Sequence, residues 1–430
     1  MIRKAVLFVV SLLMLGAIAS IVIGAPETIG QPFVSKGKLL AADAQGAAEF
    51  GTAVALSHDG QIMVVGSRYH DVSGLNNQGK AYVLQRNVDD TWTEVDTLTA
   101  PSGAANDEFG TAVAIANAPQ YTIVVGAPTA DGGTGAAYVF KYNGLNWGMG
   151  TKLPISDADP DNNDARGTAV AITNDGTSIF VGAPGAESDI IARGAVFVVK
   201  DGGSNWIHDE TLSQSTSGRA GMGRSLLVSD DGNLLFVSGL YAPSGPIIDH
   251  GAVHIYQKSG TWVYDELLAA SDSSSNNEFG ASMAIANDEN TLIIGAPGKG
   301  SGQAYLYSPA SGSWDEDDIL TKPTGFIYST FGQSVALDGA GTSAVVGAWL
   351  NGSGGLYYYE RNGGSWDHKQ TLTTADSRQE HLGYAVAMSK NGDVILGGAR
   401  SAHSGAVMDS VGAVYTFVPG HQVFLPMVIK

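Results

Sequence analysis

The 430 residues predict an all-β fold, a seven-bladed β-propeller of four-stranded antiparallel blades, and three observations carry that expectation. Glycine recurs after a short approach segment at Gly51, Gly110, Gly167, Gly223, Gly280, Gly332 and Gly383, with spacings of 59, 57, 56, 57, 52 and 51 residues. Tryptophan is followed six residues later by leucine in six of these units, at Trp92, Trp147, Trp206, Trp262, Trp314 and Trp366. Every periodic segment from the first unit onward alternates with period two rather than 3.6. A unit of 50 to 60 residues with four short strands is a blade, and seven blades close a ring around a channel.

Within each unit the elements follow in order. An alternating run after the glycine, such as Ala53-Val54-Ala55-Leu56, is the first strand. A turn such as His58-Asp59-Gly60 or Asn174-Asp175-Gly176 leads into the second, because Asp-Gly tolerates the positive φ of a tight hairpin. The second strand is β-branched and ends at a small-residue break, as in Val124-Val125-Gly126-Ala127-Pro128 and Ile293-Ile294-Gly295-Ala296-Pro297. The third opens with glycine and reaches an aromatic three residues later, as from Gly79 to Tyr82 and from Gly302 to Tyr305. The fourth carries the Trp-x5-Leu pattern, and an even step of six places Trp and Leu on one face of the sheet.

The composition agrees. Glycine supplies 57 residues, charged residues 15% and apolar residues 44%, and there is no cysteine to supply disulfides or thiolate metal sites. The formal charge of −19 makes nucleic acid a poor partner and favours solubility and cations. Arg3 and Lys4 precede an apolar run through Ala25, so residues 1–25 read as a signal peptide or an N-terminal membrane anchor, with an A-x-A cleavage site at Ala17 and Ala19. Cleavage there makes the mature chain −21, and the expected location is secreted or cell-surface; an uncleaved segment is the one expected link to a membrane.

The Phe-Gly pairs at Phe50, Phe109, Phe279 and Phe331, with the Gly-Ala-Pro breaks, resemble the FG-GAP repeats of the integrin α-chain head and of bacterial secreted proteins. The resemblance covers residues 33–418, with repeats starting near 43, 101, 156, 215, 271, 323 and 375. WD40 and kelch signatures are not kept through the copies. The expected function, favoured by the absence of catalytic motifs, is a recognition or adhesion module for protein or glycan ligands, and the expected state is a monomer. Relatives often hold Ca2+ in a D-x-D-x-D-G hairpin, but Asp59, Asp175 and Asp231 keep only turn chemistry. The seventh copy ends near Phe417 without a Trp-x5-Leu strand. Residues 33–42 are expected to close it, because Leu40 stands eleven residues before Gly51 as Leu212 does before Gly223; the competing closure is the C-terminal tail, 419–430, interrupted by Pro426.

Candidate chemistry is sparse. Asp157, Asp159, Asp161 and Asp164 alternate with approximate Ca2+-loop spacing, against the alternative of a solvated acidic loop. There is no H-E-x-x-H, no G-x-S-x-G and no phosphate loop, so no catalytic residue is assigned and no enzyme is expected. His70, His250 and His403 occupy equivalent loops between second and third strands and read as solvated unless a partner is found. Those loops share a rim with the inter-blade connections and vary most in length. A ligand is therefore expected among Arg68, Tyr69, His70, Arg193, Tyr241, His250, Trp349 and His403. An enzyme with its site at the channel mouth and a structural envelope component are the alternative classes.

Overall fold

In the computed structural model, residues 32–420 are described apart from 118–119, 157–162, 189–190, 193, 214–220, 240–249, 324–328, 351, 375–378 and 406–408. The leader, 1–25, and the end of the tail, 421–430, lie outside the described residues. Seven four-stranded antiparallel sheets make the fold. Blade 1 runs Ala53–Leu56, Ile62–Ser67, Lys80–Arg86 and Trp92–Leu98. Each innermost strand packs against the innermost strands of both neighbours, and Ala53–Leu56 meets Leu382–Met388 of blade 7, so the ring is closed. Among the described residues the one helical turn is a 3-10 turn at Ala130–Gly133, and none is a helix long and apolar enough to cross a membrane.

The repeated glycines are explained at the joints between blades. Gly79, which opens the third strand of blade 1, forms a parallel bridge with Phe109 of blade 2, and six equivalent bridges run round the ring to Gly412 with Phe50. Gly79 has φ +86°, and a Cβ there would lie 2.0 Å from the Phe109 carbonyl oxygen, so no other residue fits. Likewise a Cβ on Gly66 would lie 2.0 Å from the carbonyl oxygen of Gly110, so the small-residue break of one blade receives the Phe-Gly turn of the next. The phenylalanine itself packs edge-on against the third-strand tyrosine of its own blade, Phe50 on Tyr82 at 5.1 Å and Phe279 on Tyr305 at 5.4 Å.

Trp and Leu of the fourth strand do not share a face. In blade 1, Asp96 pairs with Val83 and Glu94 with Leu84, which leaves Val95 as an extra residue in a β-bulge. The bulge turns an even step into an odd one. Trp92 accordingly packs with Val394, Leu396 and Val414 toward blade 7, while Leu98 packs with Phe109 and Ile123 toward blade 2. The same shift occurs in the fourth strands of blades 3, 4, 5 and 6. One outer strand thus serves the apolar layers on both sides of its blade.

Blade 7 comprises Leu382–Met388, Ile395–Ala399 and Ala413–Pro419, and its outer strand is Phe33–Leu39 from the other end of the chain. Phe33 pairs with Pro419 and Leu39 with Val414, again across a bulge, at Lys36. Phe33 stands in the tryptophan place, 4.9 Å from Tyr358 of blade 6, and Leu39 rather than Leu40 stands in the leucine place. Lys38 Nζ reaches the buried Glu380 carboxylate at 2.5 Å, and the Tyr415 hydroxyl donates to the same carboxylate.

Candidate functional site

The two ends of the channel differ. At the hairpin end, His58 of blade 1 lies 3.6 Å from Asp230 of blade 4, and Lys390 of blade 7 lies 3.3 Å from the same carboxylate. Blades 1 and 4 are three apart in a ring of seven, so this contact is made across the axis. Backbone bonds from Asn287 to Gly339 and from Gly339 to Lys390 tie the turns of blades 5, 6 and 7 into the same knot. These short hairpins, held by Asp59 and its relatives accepting from local hydroxyls and N–H groups, are a plug.

At the opposite mouth, the positions after each small-residue break and around each Phe-Gly turn face one another. Where blades 2, 3 and 5 carry Pro128, Pro184 and Pro297, blades 1, 6 and 7 carry Arg68, Trp349 and Arg400. These three blades are neighbours in the ring, and their side chains converge. The Arg400 guanidinium lies 4.8 Å from the Trp349 ring centroid and 4.1 Å from that of Tyr384. Trp349 meets the His381 ring at 4.9 Å and donates its indole N–H to Gln333 at 3.2 Å. His381 Nδ1 and the Ser401 hydroxyl are 2.7 Å apart.

Arg68 donates to Glu49 at 2.9 Å and lies 4.5 Å from the ring centroid of Tyr69. Burial works against its charge, but Glu49 beside it holds the guanidinium above its ordinary pKa. Burial raises Glu108, at the blade 2 edge of the cluster, above the usual carboxylate range. Burial, helped by the Arg400 charge, lowers His381, so its imidazole is neutral at neutral pH. Arg400 differs from Arg68. It is half-buried, and among the described residues it has neither an anionic partner nor a hydrogen bond, its Nε included. Next to the cluster, toward blades 4 and 5, Arg224, Glu278 and Gln333 line a cavity of about 80 Å³.

Of the residues expected on this rim, Arg68, Tyr69 and Trp349 belong to the cluster. The histidines do not, and their reading as solvated loop residues is corrected. His70 is buried, 3.1 Å from the Tyr82 hydroxyl and 3.4 Å from Asp43; His250 is buried against the carbonyl of Gly251 at 2.8 Å; His403 is buried and accepts from the Ser410 N–H at 3.1 Å. They fasten loops to their own blades. Arg193 and Tyr241 lie outside the described residues, as do Asp157, Asp159 and Asp161. Asp164 is buried and bonded to Arg166 at 2.8 Å, so it points into the blade rather than into a solvated loop. Among the described residues no three carboxylates or histidines group to hold a metal ion. His381, Tyr384 and Arg400 were missed because they sit in the most degenerate copy, His381-Leu382-Gly383-Tyr384 and Gly398-Ala399-Arg400; the departure from the repeat was itself the signal.

The FG-GAP repeat family model matches residues 33–84, 92–140 and 262–307. No curated protein matches the sequence. Among solved structures, a Bacteroides uniformis protein provisionally named a 6-phosphogluconolactonase is similar, with a TM-score of 0.53 and 13% identity over 75% of this chain and 85% of that one. At that identity the likeness is one of fold. The chain is a seven-bladed β-propeller that carries FG-GAP repeats in three places.

Proposed function

We propose that this protein is an exported recognition module that binds a protein or glycan ligand through an acidic group at the open channel mouth. The observation that carries the reading is Arg400, a guanidinium stacked on Trp349 and Tyr384 with no anionic partner among the described residues. A stacked arginine is pre-organised to take a carboxylate in two parallel hydrogen bonds, and tryptophan, tyrosine and arginine are the residue types that dominate binding energy at interfaces. Support for export comes from the basic and apolar pattern of residues 3–25. A net charge of −19 gives an acidic ligand no long-range attraction, so selection rests on contacts at the mouth.

The test is a screen of acidic and neutral glycans together with a pull-down of protein partners, followed by Arg400→Ala, Trp349→Ala and Tyr69→Ala. Each variant is expected to weaken binding by roughly tenfold or more while the melting temperature holds. If affinity survives all three and falls instead when the hairpins around Asp59 and Asp175 are changed, the binding face is the other one. A hydrolase panel that includes 6-phosphogluconolactone, run beside the screen, separates recognition from catalysis; turnover abolished by Arg400→Ala would replace this reading with an enzyme.

A further inference from the structure

The joint between blades 1 and 2 differs from those between blades 3 and 7. From blade 3 to blade 7, the residue four beyond the tryptophan reaches the outer strand of the next blade. Trp262 N–H donates to Glu210 at 3.1 Å, Trp314 N–H to Glu266 at 3.1 Å, Trp366 N–H to Asp318 at 3.3 Å, and Phe33 N–H to Gln370 at 2.8 Å. In blade 1 that residue is Asp96, and the next tryptophan is Trp147. Among the described residues no such bond joins them, and the Asp96 carboxylate accepts the neighbouring Thr97 N–H, at 2.8 Å.

The outer strand of blade 2 explains the difference. It is reduced to Thr151–Lys152, because Gly148-Met149-Gly150 cannot hold a regular strand. A Cβ on Gly150 would lie 2.5 Å from the Phe140 ring, so the glycine lets the chain settle onto blade 2 and away from Asp96. Trp147 then packs on its own blade, its ring tilted by 45° at 5.3 Å from Tyr142, which is 6.5 Å from Tyr121. The gap left is a cavity of about 370 Å³ lined by these three rings, Gln61, Gln85 and Asp96, and Asp96 and Trp147 also line a second of about 260 Å³. Leu145 and Met149 stand exposed at its edge, at 90% and 89%.

We propose that this groove is a binding site for a neutral oligosaccharide, separate from the channel mouth. A row of aromatic faces suits the C–H faces of successive pyranose rings, and uncharged amides with one carboxylate suit hydroxyl groups, which donate and accept at once. Gln85 is exposed, and among the described residues its side-chain amide makes no hydrogen bond, which leaves it to serve a ligand. The single charge, Asp96, gives an ionic ligand of either sign little beyond one contact, and a groove of this size takes a few sugar units.

The test is titration calorimetry of the full chain with neutral β-linked hexasaccharides of glucose, xylose and N-acetylglucosamine, with a proline-rich peptide as the competing probe. At least one hexasaccharide should bind, and Trp147→Ala and Tyr142→Ala should each weaken it about tenfold or more. Gln85→Ala, at an exposed position, should weaken it several-fold without moving the melting temperature, which guards against misfolding as the cause. Arg400→Ala should leave sugar binding intact, so the two sites fail independently. Absence of binding by all three sugars, binding that survives Trp147→Ala, or binding of the peptide alone overturns the proposal.

Discussion

His254 enters the third strand of blade 4 at 4% exposure, paired with Val237 and Leu267, and among the described residues neither of its ring nitrogens has a hydrogen-bond partner. Burial alone lowers its pKa to about 4 from an ordinary value of 6.5. The unfolded chain therefore takes up a proton below pH 6.5 that the folded chain refuses until about pH 4, and stability falls across that window as pH falls. The full effect is about 3 kcal/mol. We expect the melting temperature to drop between pH 7 and pH 4.5, and His254→Phe to remove a distinct part of the drop; superimposable pH curves for parent and variant would show that the native state accommodates the charged ring. No pattern in the sequence marks this residue, since its neighbours alternate as in any third strand. The same holds for His70, whose burial depends on Tyr82 in the next strand and on Asp43 from the approach to blade 1, and for His403, held by Asp409 within its own loop.

At the scale of elements, alternation and turn chemistry made the strands legible, and the glycine spacing made the blades legible. The outer strand was read with one error that has a local cause. A β-bulge adds a single residue, and neither Val95 nor Lys369 announces itself as the extra one, so the two-residue period was carried through Trp-x5-Leu without interruption. The seventh copy of that motif, Phe33-x5-Leu39, begins with phenylalanine in place of tryptophan, and it is Leu40, not Leu39, that has the spacing of Leu212 from the following glycine. Phe33 also exchanges two hydrogen bonds with the Gln370 side chain, both at 2.8 Å, which binds the closing strand to blade 6 as well as blade 7. Deleting 33–39 should therefore lower the melting temperature far more than deleting 421–430, and Phe33→Ala alone should cost about 3 kcal/mol by emptying a buried aromatic site. Equal losses in the two deletions, read by thermal unfolding, would remove the closing role from the N-terminal strand.

The candidate mouth site belongs to the whole molecule, because Arg68, Trp349 and Arg400 are hundreds of residues apart in part and meet only when blade 7 closes on blade 1. Arg68 and Trp349 were legible as departures from the repeat on a variable rim. Their juxtaposition was not, since it depends on which blades are neighbours across the closure. The same ring geometry places Pro32 and Gly420 side by side: Gly420 N–H donates to the Pro32 carbonyl at 2.8 Å, as in the first bond of a hairpin. Blades 1 and 3 to 6 join their third and fourth strands by such a hairpin, for example Ala252–Ser259 to Thr261–Leu268 through Gly260. The break in blade 7 is thus one of several equivalent places where the ring could be opened. A circular permutant that joins Gly420 to Pro32 through a short Asn-Gly turn and opens at Gly260 exchanges one such hairpin for another. It should keep the all-β circular dichroism spectrum and melt within a few degrees of the parent, because loop closure contributes little once the strands are paired in register. A permutant that fails to fold would mean that blade 7 closure has a role beyond its place in the ring, as an obligatory last step that a continuous hairpin does not reproduce.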